Sequence, residues 1–135
     1  MDVKRFIIAG IVVSVLFLVL DGLLGVAGGL VGELVFGLAA AGQPDESKML
    51  ISPVFELING FMLVAVYAII NGSLPGKGWK KGISYGVIVW GLRVVMWAFS
   101  TYMMTDMSPV FIGISVVAGL VEVLILCVVI AAIYR

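Results

Sequence analysis

Histidine is absent from this 135-residue chain, cysteine occurs once, and Asp, Glu, Lys and Arg together make up only 12% of it. Without imidazole and with a single thiol, the usual ligand sets of haem, zinc, copper and iron–sulfur centres cannot be assembled. The Ser-His-Asp and Cys-His arrangements of nucleophilic catalysis are excluded for the same reason. Cys127 has no intrachain partner for a disulfide, so cysteine usage says nothing about redox compartment. Scarcity of charge excludes more: a soluble domain holds about 25% charged residues, and here eight basic residues balance eight acidic ones to a formal net charge of zero. With no basic surplus to neutralise a phosphate backbone, nucleic-acid binding is not expected. Neither a metal nor another cofactor is expected, and the few carboxylates lack a hydrolase context, so the chain reads as a non-enzyme.

What is present is apolar. Hydrophobic residues make up 63% of the chain and the mean hydropathy is +1.27. A spanning helix needs about 20 apolar residues to cross about 30 Å of hydrocarbon. Four such stretches are read at about 6–27, 52–72, 82–104 and 108–134. Residues 42–47, 72–81 and 105–109 separate them with Pro or Gly punctuation and charge, as loops leaving a membrane do. The expected architecture is therefore an all-α polytopic membrane protein: one transmembrane domain over 1–135, built as a four-helix bundle.

With four spans, Lys4, Arg5, Lys77, Lys80, Lys81 and Arg135 share one side of the membrane, and Lys48 alone lies on the other. The positive-inside rule then predicts cytoplasmic termini and a cytoplasmic middle loop. Trp79, Tyr102 and Tyr134 fall near the expected interfaces, where amphipathic rings settle. The basic loop residues Lys77, Lys80 and Lys81 read as contacts to anionic lipid headgroups. Their glycine-rich surroundings lack the spacing of a phosphate-binding loop.

The first apolar segment is too long for one crossing, because residues 6–41 would form a helix about 54 Å long. The Gly28-Gly29 pair suggests a bend, with a short interfacial or re-entrant helix over about 30–41 after the first span; a single long helix is the alternative. Lys4-Arg5 and Ala39-Ala40-Ala41 superficially suggest a signal peptide, but the stretch is over-long and contains Asp21 and Glu33, so it is read as a mature span.

Small residues at helical spacing mark where lipid-embedded helices touch. Among the 17 glycines, Gly25, Gly29 and Gly32 in the first segment and Gly82 and Gly86 in the third are the candidates for helix packing. Ionisable groups inside the apolar segments are more informative. A central charge costs at least about 2.5 kcal/mol on insertion scales and needs a partner or water. Counted from the terminal side at 1.5 Å per residue, Arg93 lies about 16 Å deep, Glu122 about 20 Å, Asp21 about 22 Å and Glu56 about 24 Å. An intramembrane polar cluster of Asp21, Glu56, Asn59, Arg93 and Glu122 is expected, with an Arg93–Glu122 ion pair at its centre. Tyr67, Trp90 and Trp97 are its expected aromatic lining, and the two tryptophans stand one turn on either side of Arg93 as candidates for cation–π contact. Three carboxylates around one guanidinium leave a net charge of about −2 if all ionise. At least one is therefore expected to be protonated, or to face water or an external cation.

The runs Lys4-Arg5-Phe6-Ile7-Ile8-Ala9-Gly10 through Leu20-Asp21, Pro75-Gly76-Lys77-Gly78, Gly82-Ile83-Ser84-Tyr85-Gly86 and Gly119-Leu120-Val121-Glu122 carry a resemblance covering most of the chain. The sequence resembles small uncharacterised prokaryotic four-helix integral membrane proteins, of the domain-of-unknown-function type. The resemblance implies a four-span fold in a prokaryotic inner membrane and supplies no activity. The functional expectation is a non-catalytic membrane protein embedded in the lipid bilayer that acts by association, as a homo-oligomer or as an accessory subunit of a membrane complex. The alternative is a small proton- or cation-coupled transporter using its intramembrane carboxylates.

Overall fold

A computed structural model describes residues 3–37, 46–104 and 108–134, with the side chains of 32, 35, 36 and 46–52 left aside. Every regular element among them is helical, and four helices are long and apolar enough to cross a membrane. We number these α1 (Val3–Phe36), α2 (Glu46–Ile70), α3 (Trp79–Met104) and α4 (Pro109–Ile133).

The ends of these helices follow from a few residues. Gly37 takes a left-handed φ of 61°, and its N–H donates to the Glu33 carbonyl at 3.1 Å, the glycine cap that ends α1. After α2, the segment 71–78 turns back through Gly76 and Gly78 at positive φ, while buried Leu74 anchors the loop beneath the bundle. Lys81 Nζ ties the loop to the end of α2 by donating to both the carbonyl and Oδ1 of Asn71, at 2.6 and 3.2 Å. Ser108 and Pro109 open α4, the proline occupying a position where no N–H is required.

Two expectations about the helices change. The helix is not interrupted at Gly28-Gly29: α1 is the single long helix that was the alternative, 34 residues and about 51 Å long, and residues 30–36 of the expected interfacial segment are its last turns. Neither glycine takes a positive φ, so the pair is simply helical within a Leu-, Val- and Ala-rich stretch, and the stop signal is Gly37. Residues 38–41 lie outside the described residues. In α3, an α-helical stretch Trp79–Trp90 passes through a π turn, Gly91–Val95, into Met96–Met104. The extra residue of a π turn rotates everything beyond it relative to an ideal helix.

Packing runs in the order α2–α1–α4–α3, with the broadest contacts between α3 and α4, then α1 and α2, then α1 and α4. Close approach is set by small residues. At Gly82 an added Cβ would stand 2.7 Å from the Cys127 carbonyl oxygen and 2.8 Å from the Val128 Cα, and at Gly86 it would press on Leu124. Gly60 leaves no space between α2 and Ser14 of α1, whose hydroxyl donates to the Leu57 carbonyl at 3.1 Å. Gly10 likewise lets the Phe61 ring lie across α1, and Gly119 receives Val94. Gly82 and Gly86 thus pack as expected. Gly25 and Gly29 do not, since an added Cβ would meet nothing within 4 Å; they lie beyond the part of α1 that other helices cover. The packing of Gly32 lies outside the described residues.

The main buried cluster lies at the end of the bundle that carries both termini. Ala9, Val13 and Phe17 of α1, Leu63, Val64 and Tyr67 of α2, Tyr85 of α3, and Val123, Leu126, Cys127, Ile130 and Ala131 of α4 form one buried cluster. Tyr85 closes the ring of helices by donating its hydroxyl to the Leu63 carbonyl at 2.8 Å. Its ring meets that of Tyr67 edge-on, and Tyr67 in turn meets Tyr134. Towards the other end, most described residues of all four helices are half-exposed or exposed.

Candidate functional site

The polar cluster forms where the packed core stops. Phe17, one turn before Asp21 on α1, is 3% exposed and closes the core on that side. The Arg93 guanidinium lies over its ring, 4.6 Å from the centroid. Phe17 therefore makes the cation–π contact expected of Trp90 and Trp97. The reason is the π turn, which carries Arg93 and breaks the regular spacing that would set those tryptophans one turn away on its own face. Trp90 is half-buried and donates from Nε1 to the Val116 carbonyl at 3.0 Å, pinning α3 to α4. Trp97 is 47% exposed and belongs to the outer surface, so it does not line the interior. Tyr67, at 2% exposure, does face inward, but into the aromatic cluster with Tyr85 and Tyr134.

The acidic members come from three helices. Glu122 of α4 is half-buried, and its carboxyl lies within electrostatic reach of Asp21, Arg93 and Glu56. Its Oε1 is buried with no hydrogen-bond partner among the described residues. Glu56 of α2 is 9% exposed, in a helix turn that also holds half-buried Asn59. Asp21 and Arg93 are both exposed on the surface of the chain. The expectation of a buried guanidinium is thus corrected: Arg93 sits at the rim of the cluster with its face on Phe17. Among the described residues, its contact is with the ring, and no Arg93–Glu122 ion pair is formed.

Depth along the helices agrees with this assembly. From the terminal end, Glu122 lies about 17 Å along α4, Glu56 about 21 Å along α2, Arg93 about 21 Å along α3 and Asp21 about 27 Å along α1. Along the bundle, the cluster lies beyond the buried core, on the side away from the termini. Sequence reasoning missed Phe17 and Ser14. An aromatic residue and a serine inside an apolar run carry no signal of their role until the facing helix is known.

Lys77 and Lys80 are exposed at the terminal end beside half-buried Lys81. The Lys81 ammonium is committed to Asn71, so it serves the loop as well as the surface. Among the described residues, no group of three or more His, Cys, Asp or Glu side chains is placed to hold a metal ion. Comparison with protein-family models, with curated proteins and with solved structures finds no match for this chain.

Proposed function

We propose that the chain is a non-catalytic subunit that works by helix association in a prokaryotic inner membrane, with both termini cytoplasmic, either as a homo-oligomer or within a larger membrane complex. One observation carries this reading: Asp21 and Arg93, at membrane depth, are exposed on the chain's own surface. A charge that faces lipid costs about 2.5 kcal/mol or more at the bilayer centre and less towards the edge where Asp21 and Arg93 lie, and that cost remains wherever no partner covers it. A neighbouring helix that covers this flank and supplies hydrogen bonds removes that cost. The predominance of basic residues at the terminal end supports the placement. Native mass spectrometry from nanodiscs tests it: the expected result is a homo-oligomer or a co-purifying membrane subunit, weakened by Arg93→Leu. A strictly monomeric chain with no companion would remove the proposal.

A second reading, proton- or cation-coupled transport, is favoured by the imbalance of Asp21, Glu56 and Glu122 against one guanidinium and by the unbonded buried oxygen of Glu122. Its test is flux into proteoliposomes. Wild-type protein should exceed empty liposomes and Glu122→Gln should not; wild-type flux no greater than that of empty liposomes would reject it.

A further inference from the structure

Eleven residues make about three turns of a regular α-helix, so in an unbroken α3 position 93 would share the stripe that begins with Gly82 and Gly86, both packed on α4. The π turn Gly91–Val95 adds one residue to that interval. Val94 therefore takes the α4 face, its side chain filling the space at Gly119, where an added Cβ would stand 2.9 Å from Cγ1. Arg93 is turned off the interface, and its guanidinium lies on the Phe17 ring. Glu122, one turn along α4 from Gly119, keeps a buried carboxyl oxygen with no hydrogen-bond partner among the described residues. The extra residue is what separates Arg93 from Glu122. Beyond it little holds α3 to its neighbours: Met96, Trp97, Phe99, Tyr102, Met103 and Met104 are exposed, and of the stretch Met96–Met104 only Ala98 is buried.

We propose that the π turn is one of two registers of α3, selected by the charge on Glu122. With Glu122 protonated, Arg93 stays on the Phe17 ring and Val94 on Gly119. When Glu122 releases its proton to water, the extra residue passes to the far end of α3 and the stretch from Gly91 to Met104 turns by about 100°, one residue's rotation. Arg93 then replaces Val94 on the α4 face and pairs with the Glu122 carboxylate. Each register has what the other lacks: two packing contacts in the first, an ion pair and a regular hydrogen-bond ladder in the second. A single charge tips such a balance, and the lightly packed outer stretch of α3 turns with few contacts broken. The ionisable groups facing Glu122 are Asp21 from α1, Glu56 from α2 and Arg93 from α3. Two of these are acids, and only Arg93 attracts a negative charge on Glu122, so approach of the guanidinium and loss of the proton favour each other. The device lies within one chain and stands apart from both the association and the transport readings.

The test uses the full chain in nanodiscs, with Cys127→Ala and pairs of spin labels on introduced cysteines, read by double electron–electron resonance between about pH 5 and about pH 9. Ile58 on α2 and Phe99 on α3 are both exposed, and Phe99 lies beyond the π turn. As the pH rises, the distance between labels at these two positions should pass from one population to a second, displaced by on the order of 5 Å. A label at Ile83, which precedes the turn, should keep its distance from Ile58, so that rotation of the outer stretch is told apart from a general loosening. Glu122→Gln, neutral at every pH, should hold the low-pH distance throughout. Arg93→Gln, which leaves the carboxylate no cation to pair with, should lose the shift as well. A 58–99 distance independent of pH with Glu122 and Arg93 intact, a shift that persists in Glu122→Gln or Arg93→Gln, or an equal shift between 58 and 83 would each overturn the proposal.

Discussion

At Gly60 the junction of α1 and α2 has no room for a methyl group, because an added Cβ would fall on the Ser14 side chain and backbone. Backbone cannot move aside as the tip of a long side chain can, so Gly60→Val is expected to cost about 1–3 kcal/mol. Gly25→Ala, with open space around it, should stay within about 0.5 kcal/mol of wild type. Denaturant midpoints in micelles, measured side by side, check both. Spacing in the sequence pointed correctly to Gly82 and Gly86, yet it pointed equally to Gly25 and Gly29. The difference lies in which helix passes opposite, which spacing within one helix does not contain. The same limit hid Phe17. Its contact with Arg93 is a planar cation on a ring, so Arg93→Met and Phe17→Leu should be coupled by about 0.5–1 kcal/mol in a double-mutant cycle read by the same midpoints.

The helices themselves were largely legible, since four apolar stretches bounded by Pro, Gly and charge leave few other arrangements in lipid. Two features were not. The π turn at Gly91–Val95 is one, since no residue type announces it. The length of α1 stays open between two readings in the sequence because Gly28-Gly29 resembles a hinge. Yet glycine only permits a bend, and without a contact or a positive φ to demand one the helix continues until Gly37 caps it. This distinction can be tested. If the pair is ordinary helix, Gly28→Ala with Gly29→Ala adds methyl groups into open space and improves helix propensity by up to about 1 kcal/mol at each position. The double variant should hold or raise helical content and thermal stability in micelles. A loss of either would mean that the glycines serve a bend after all.

At the scale of the whole molecule, packing is unevenly distributed: the buried cluster fills the end that carries both termini, and the opposite half is loosely covered. This asymmetry parallels the charge pattern, because the same end carries Lys4, Arg5, Lys77, Lys80 and Lys81. An even number of crossings is what brings these groups together. A fifth crossing, made by dividing α1, would put Lys4 and Arg5 on the side opposite Lys77 and would leave each half of α1 short for the hydrocarbon layer. The unbroken helix Val3–Phe36 opposes that division. Cysteines introduced singly at Val3, Ser73 and Met104, all exposed, report the sidedness directly. The native Cys127, fully buried in the core, should remain silent to a membrane-impermeant maleimide, with Cys127→Ala as the control background. In sealed inverted vesicles, residues 3 and 73 should label from the outside, and residue 104 only after the membrane is opened. The pattern should invert in right-side-out spheroplasts. Labelling of residues 3 and 73 from opposite faces would break the four-span arrangement and, with it, the shared depth that brings Asp21, Glu56, Arg93 and Glu122 into one cluster.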